Sequence, residues 1–190
     1  MRKRWLSAAV LLLTGCRMQV QNTVPADHTA AAQSVPAVDA YAAAWAESVH
    51  MFSAPEKALL LHDHIINRVT FDRTAARRHT AEGALLDRLA VCDGYASAFC
   101  LLGDAAGLSC ITVIGSKNGI PHAWNLVYLD DGWYHVDCAA DDTDCGAPLH
   151  TAFLLADSEM QGYVWDAAAY PKAAGTVWNY GNVISVIQPV

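Results

Sequence analysis

Val38, Tyr41, Ala42, Trp45, Val49 and Phe52 recur at steps of three and four, which predicts one amphipathic helix over residues 37–50 with a single core-facing stripe. A second helix is predicted from Ser53-Ala54-Pro55-Glu56, where a capping-box pair encloses a proline in the first turn. It turns Ala58, Leu61, Ile65 and Val69 to one side. His62-Asp63-His64 lies within it, but residues two apart on a helix diverge, so these histidines are expected at the surface or half-buried and no metal is assigned to them. Residues 70–80 are polar, contain Arg73, Arg77 and Arg78, and read as a surface loop. From Val91 the pattern becomes a short helix stopped at Gly107. β-branched and aromatic runs then predict strands at Cys110–Gly115, His122–Leu129 and Trp133–Cys138. Ser116-Lys117-Asn118-Gly119 and Asp130-Asp131-Gly132 supply the turns between them, and further strands are expected at Ala152–Leu155 and Val183–Ile187. Helices followed by an antiparallel sheet make the class α+β.

Composition narrows the function classes. With 190 residues, 54% apolar and 16% charged, the chain has core-forming side chains for one globular domain, and no repeat or second domain is visible. The longest apolar run near a terminus, Trp5 to Gly15, is about half of the roughly 20 residues that a bilayer-spanning helix needs. The 12 basic residues are outnumbered by 19 acidic ones and form no cluster alternating with aromatics, so nucleic acid is not an expected partner.

The N-terminus changes that picture in one respect. Arg2, Lys3 and Arg4 precede an apolar stretch from Trp5 to Leu13, the layout of an export signal. Leu13-Thr14-Gly15-Cys16 resembles the bacterial lipoprotein box, which implies cleavage after Gly15 and lipidation of Cys16. Losing three basic residues shifts the formal charge from −7 to −10. Residues 17–36 are mostly small or polar and are expected to form a flexible tether, with a reach of roughly 25 Å for a coil of that length. The expected organisation is a signal at 1–15, a tether at 16–36 and a catalytic domain at 37–190, held outside the cytoplasm on the membrane through Cys16.

The chemistry centres on Cys92, at the start of its helix, where unpaired amides and the helix dipole favour an anion. A thiol there is expected to ionise readily. Gly94 is expected to let a substrate carbonyl approach the backbone. Alone, Cys92 reads first as a buried structural cysteine, the commoner role of a lone cysteine in an apolar helix. His122 and Asp137 alter the balance. A two-residue turn at Asp130-Asp131 pairs Leu129 with Gly132 and sets Asp137 opposite Trp124, so that His122 and Asp137 project from one face as diagonal neighbours, about 7–8 Å apart at the backbone. A one-residue slip would separate them. An Asp–His pair that fixes the tautomer and leaves the second ring nitrogen to a thiol is an acyl-transfer arrangement. Under the same register Trp124 projects beside His122, either lining the substrate cleft or serving as a core indole, and Tyr95 is placed in the core.

The strings Gly83-Ala84-Leu85, Val91-Cys92-Asp93-Gly94-Tyr95-Ala96, Ala106-Gly107-Leu108, His122-Ala123-Trp124-Asn125 and Trp133-Tyr134-His135-Val136-Asp137 resemble the bacterial transglutaminase-like domain family. The likeness continues through Phe153 to Met160, Trp165-Asp166 and Tyr170-Pro171, covering roughly residues 55–172. It implies a papain-like fold with Cys92 as nucleophile, His122 as general base and acid, and Asp137 as its orienting partner. Where relatives commonly carry Thr-Trp after the aspartate, this chain has Cys138-Ala139-Ala140, which implies a more open cleft wall.

The expected function is thiol-dependent acyl transfer on peptide or glutamine-type amides, ending in hydrolysis, with a protein or peptide as substrate. Transfer to an amine and a catalytically silent binding module are the alternatives. No cofactor is expected. Asp141, Asp142, Asp144, Cys145 and His150 lack regular ligand spacing and read as a solvated acidic loop, not a metal site. Cys100, Cys110, Cys138 and Cys145 allow three pairings, with Cys138–Cys145 closing a short loop, or remain free thiols.

Overall fold

The computed structural model describes residues 27–143 and 146–187. The export signal, Cys16, the first part of the tether, and Asp144 with Cys145 lie outside the described residues.

The first helix, α1 (Asp27–Ser48), begins well before residue 37, so the later part of the expected tether is helical. Ala30, Ala31, Ala32 and Gln33 are strong helix formers, a propensity that an absence of bulky side chains does not cancel. Its predicted stripe holds for Val38, Ala42 and Val49, all buried, whereas Phe52 lies exposed beyond the helix end. Helix α2 (Ala54–Ile66) starts as expected, with the Ser53 amide donating to Glu56 Oε2 at 2.8 Å, and buries Ala58, Leu61 and Ile65. Helix α3 (Cys92–Ala105) carries Tyr95, Phe99 and Leu102 into the main core and ends where Gly107 adopts φ +82°, a left-handed stop. Truncating a fully buried ring such as Phe99 costs about 3–5 kcal/mol.

Strands β1 (Thr70–Phe71) and β2 (Leu89–Ala90) form a short parallel pair ahead of α3. The principal sheet contains β3 (Ser109–Lys117), β4 (Ile120–Leu129), β5 (Gly132–Val136), β6 (Phe153–Leu155) and β7 (Tyr163–Trp165) in the antiparallel order β6-β5-β4-β3-β7. Asn118 and Gly119, with φ 52° and 78°, form the two-residue turn between β3 and β4. The next turn gives Leu129 opposite Gly132 and Asn125 opposite Val136, the register expected from the sequence.

Both faces of the sheet are covered. Val127, Leu129, Tyr134 and Val136 face α2 and α3, while Val113, Trp124 and Leu126 pack with Met160, Ala173, Trp133 and Trp165 on the opposite side. This explains why β4 is buried without alternation from Ala123 to Val127. The strand expected at Val183–Ile187 is instead helix α5 (Tyr180–Ile187). Its amides begin on Asn179, whose Oδ1 accepts from Asn182 N at 3.0 Å, and Val183, Ile184 and Ile187 then share a helical face against the main core. β-branched residues alone pointed to a strand, and the cap with its spacing overrides them.

Candidate active site

Cys92 is the first residue of α3, and its predecessor Val91 is fixed by donating its amide to the Arg78 carbonyl at 3.0 Å. Gly94 packs so closely on that carbonyl that a Cβ would collide with it. The glycine therefore seats the helix on the 70–80 segment and is buried, in place of the expected role of admitting substrate. Gly94 and Tyr95 both donate to the Val91 carbonyl, and the Cys92 and Asp93 amides have no backbone acceptor among the described residues.

His122 enters from β4 and Asp137 from the end of β5, on the same face of the sheet. His122 Nε2 lies 2.6 Å from Asp137 Oδ2, which leaves Nδ1 for its hydrogen bond with Cys92. Asp137 is 1% exposed and caps the short helix α4 (Cys138–Asp141), its Oδ1 accepting from Ala140 N at 3.0 Å. Tyr163 on β7 donates its hydroxyl to Asp137 Oδ2 at 2.7 Å, so one carboxylate oxygen serves both the imidazole and a phenol. Sequence reasoning missed Tyr163, because the three-residue strand that delivers it carries too little pattern.

Burial alone would raise the Cys92 thiol, but hydrogen bonds from His122 and the Ala123 amide, with the His122 charge, outweigh it and hold the pKa below the ordinary thiol value. Burial works against the His122 imidazolium too, yet Asp137 and Cys92 raise its pKa to about 9. The two shifts run in opposite directions, so the contact favours a thiolate beside an imidazolium over the neutral thiol and imidazole.

Trp124 is 1% exposed and lies behind the site in the core, so the cleft-lining expectation is not met. Its indole stacks on His122 with centroids 6.1 Å apart and donates Nε1–H to His135 Nδ1 at 2.9 Å. Tyr95 is in the core as expected, its hydroxyl donating to Asp142 at 2.5 Å. Cys138 is buried in α4, and Ala140 of the same segment anchors Asp137 through its amide. Cys92, Cys100, Cys110 and Cys138 are free thiols.

A second polar cluster departs from expectation. His62 is 0% exposed, neither at the surface nor half-buried, and Asp141 is also 0% exposed, not in a solvated loop. His62 Nε2 is 3.2 Å from Asp141 Oδ2, and its Nδ1 is 2.9 Å from Asp63 Oδ1, which also receives His150 Nε2 at 2.8 Å. His62, Asp63 and His150 present ligand-type atoms within 4.8 Å of one another. The His62 ring faces a carboxylate from each nitrogen, and these contacts raise its pKa against burial, which favours the doubly protonated ring. Asp141 Oδ1 also accepts from Thr151 N and Ala152 N, and the Ala152 carbonyl accepts the Asp137 amide at 2.9 Å. The cluster thereby supports the backbone of Asp137.

The described residues that open to solvent beside Cys92 form a groove, with Phe71, Arg73 and Arg78 on one side and Ile114, Gly115 and Ala123 on the other. A larger cavity, about 650 Å³, lies between α1, Lys57 and the end of α3, away from these groups.

The model of the transglutaminase-like superfamily matches residues 39–138, more than half of the chain and a span that contains Cys92, His122 and Asp137. The chain belongs to the transglutaminase-like superfamily. Kyphoscoliosis peptidase from Mus musculus is 40% identical over 58 residues, covering 24% of this chain and 9% of that protein, and the Homo sapiens protein matches to the same extent. The crystal structure of a TGase superposes on 70% of this chain and 38% of its own with a TM-score of 0.50 at 19% identity, a likeness of fold. This transglutaminase-like chain thus spans only a small part of the curated relatives it matches. Membership supports a thiol-dependent enzyme, and the mixed helix and antiparallel sheet architecture agrees with it.

Proposed function

We propose that this transglutaminase-like domain cleaves peptide or glutamine-type amide bonds through Cys92, His122 and Asp137, on the extracytoplasmic side of a membrane to which Cys16 tethers it. One observation carries the reading: the His122 ring bridges the Cys92 sulfur and a buried carboxylate 2.6 Å away, in a setting that stabilises the ion pair.

The Cys92 thiolate adds to the substrate carbonyl carbon, forming a C–S bond and moving the carbonyl electron pair onto oxygen. The amide of Cys92, free at the helix start, is the donor offered to that oxyanion. As the carbonyl re-forms, the C–N bond breaks and the departing amine takes the proton from His122 Nδ1. The neutral ring then removes a proton from water, whose oxygen attacks the thioester, and the Cys92 thiolate leaves. Asp137 holds the ring in orientation and stabilises its charged form throughout. Removing one oxyanion donor in such a site costs on the order of 100- to 1000-fold in rate.

The test is incubation of the purified protein with glutamine-containing peptides and a labelled primary amine, read by mass spectrometry. Free acid products without amine incorporation are expected. Incorporated amine would replace hydrolysis by transamidation. Failure of iodoacetamide to modify Cys92 ahead of Cys100, Cys110 and Cys138 would remove the nucleophile assignment altogether.

A further inference from the structure

We propose that the groove beside Cys92 selects substrates carrying a carboxylate next to the scissile amide, bound by Arg73 and Arg78, with an apolar group on the opposite side. This rests on the assignment of Cys92 as nucleophile. The protein is acidic, with 19 acidic residues against 12 basic ones, yet one of the two cavities beside Cys92 and His122, of about 380 Å³, is lined by Arg73, Arg78 and His79 and by no carboxylate.

The two arginines are uncommitted. Their neighbour Arg77 is paired with Asp87, its Nε 2.8 Å from Oδ2, whereas no carboxylate forms an ion pair with Arg73 or Arg78 among the described residues. Arg73 rests over the Phe71 ring, its guanidinium carbon 5.7 Å from the centroid, which steadies the side chain without neutralising it. Arg78 spends one N–H on the Ala75 carbonyl at 3.0 Å, and other donors of the fork are left for a planar anion. Asp72, the carboxylate that feels the Arg78 charge, has its Oδ1 engaged by Thr74 N, Thr74 Oγ1 and Ala75 N. His79 is already matched, 2.7 Å from Asp93. The cationic character of this side therefore comes from the arginines.

Their placement relative to the thiol is held by backbone. The Arg78 carbonyl accepts the Val91 amide and packs on Gly94, so the residue is fastened to the first turn of α3. Across the thiol, a cavity of about 290 Å³ is lined by Ile114, Gly115, Pro121 and Ala123, and by Asp93, whose carboxylate is engaged by His79. Ile114 is 61% exposed, and Ile120, on the groove rim, is 64% exposed, an apolar surface left open beside a reactive group. A ligand with one anionic arm and one apolar arm satisfies both sides.

Two alkylating agents of similar size test this without a known substrate: iodoacetate, which is anionic, and iodoacetamide, which is neutral. The ratio of their second-order rate constants at Cys92 cancels any change in thiol nucleophilicity. The ratio is expected to fall about tenfold in the double variant R73Q/R78Q, and to fall with added salt in the unaltered protein as the arginines are screened. A ratio unchanged by both would overturn the inference. R73Q alone, at an exposed position, keeps the test decisive if the double variant does not fold. Peptides differing only by Glu or Gln beside the cleaved bond extend it: a kcat/KM preference for Glu of about tenfold is expected, reversed in R73E/R78E. Cys92 alkylated selectively but without charge preference defeats only this inference. An unreactive Cys92 defeats the functional reading beneath it.

Discussion

Two imidazole–carboxylate pairs sit on one face of neighbouring strands with a single indole between them, yet their chemistry differs. His122 and Asp137 are 2.6 Å apart, and so are placed much like His135 Nε2 and Asp157 Oδ1 at 2.9 Å. The difference lies at the other ring nitrogen. His135 Nδ1 accepts the Trp124 indole proton, so the ring is fixed as the neutral Nε2–H tautomer, and burial pushes its pKa down despite Asp157. His122 turns its second nitrogen to a thiol and has its pKa raised to about 9. A carboxylate neighbour therefore does not make a histidine an acid–base group. The partner of the opposite nitrogen decides it.

The largest effect that follows is at Cys92, the proposed nucleophile. Cys92→Ala and His122→Gln are each expected to lower kcat/KM by at least about 1000-fold, the first with an unchanged melting temperature. His135→Gln should do the reverse. It should leave activity within a few-fold while lowering stability by about 1–3 kcal/mol, because the Trp124 donor loses its acceptor. Comparable activity losses at His122 and His135 would erase the distinction between the pairs.

How much of this was legible in the sequence varies with the range of the interaction. The β4–β5 register was readable because a two-residue turn and the period of two leave little freedom, and Asp137 met His122 as the register required. The start of α3 and its stop at Gly107 were equally local. Three features were not. The His62–Asp141 pair joins residues 79 positions apart, and a histidine flanked by polar neighbours on a helix reads as solvent-facing until the opposing carboxylate is placed. Tyr163 reaches Asp137 from 26 positions away on a strand of three residues. Helix α5 shows a β-branched run whose helical face becomes visible only once the main core lies beneath it. Trp124 was correctly placed beside His122, but the layer of Trp133, Tyr163 and Trp165 that closes over it could not be read from its own strand.

The third histidine pair sharpens the comparison through stability. His62 lies between Asp63 and Asp141 with no route to a substrate, so breaking the pair should act on folding first. Asp141→Asn is expected to cost about 3–5 kcal/mol, read as a lowered melting temperature. Folding raises the His62 pKa, since the two carboxylates outweigh burial, and lowers that of Asp141, since its hydrogen bonds outweigh burial. The His62 contribution is therefore present below its unfolded pKa and lost as pH rises through the raised folded value. The Asp141 contribution is present above its unfolded pKa and lost as pH falls through the lowered one. The destabilisation by Asp141→Asn should accordingly be largest between those limits and shrink on both sides, and a pH-independent difference would refute the charged pair.

The smallest expected effect addresses the oxygen that His122 and Tyr163 share. Activity needs the thiolate and the imidazolium together, so the pH profile should be bell-shaped. Its acid limb should lie below the ordinary thiol value, and its alkaline limb near 9, where His122 loses its proton. Tyr163 holds its proton firmly, since burial and the Asp137 charge both push its pKa up, so it donates to Asp137 Oδ2 across this range. Removing that donor in Tyr163→Phe concentrates the Asp137 charge on His122. The alkaline limb should then move upward, while kcat/KM at the optimum falls by roughly tenfold, about 1.4 kcal/mol, because the carboxylate loses one of its anchors. Loss of orientation alone lowers the rate without moving the limb. A downward shift would show that the phenol strengthens the His122–Asp137 contact. The direction of the limb therefore separates an electrostatic partner of the pair from a residue that merely packs against it, which the rate cannot do.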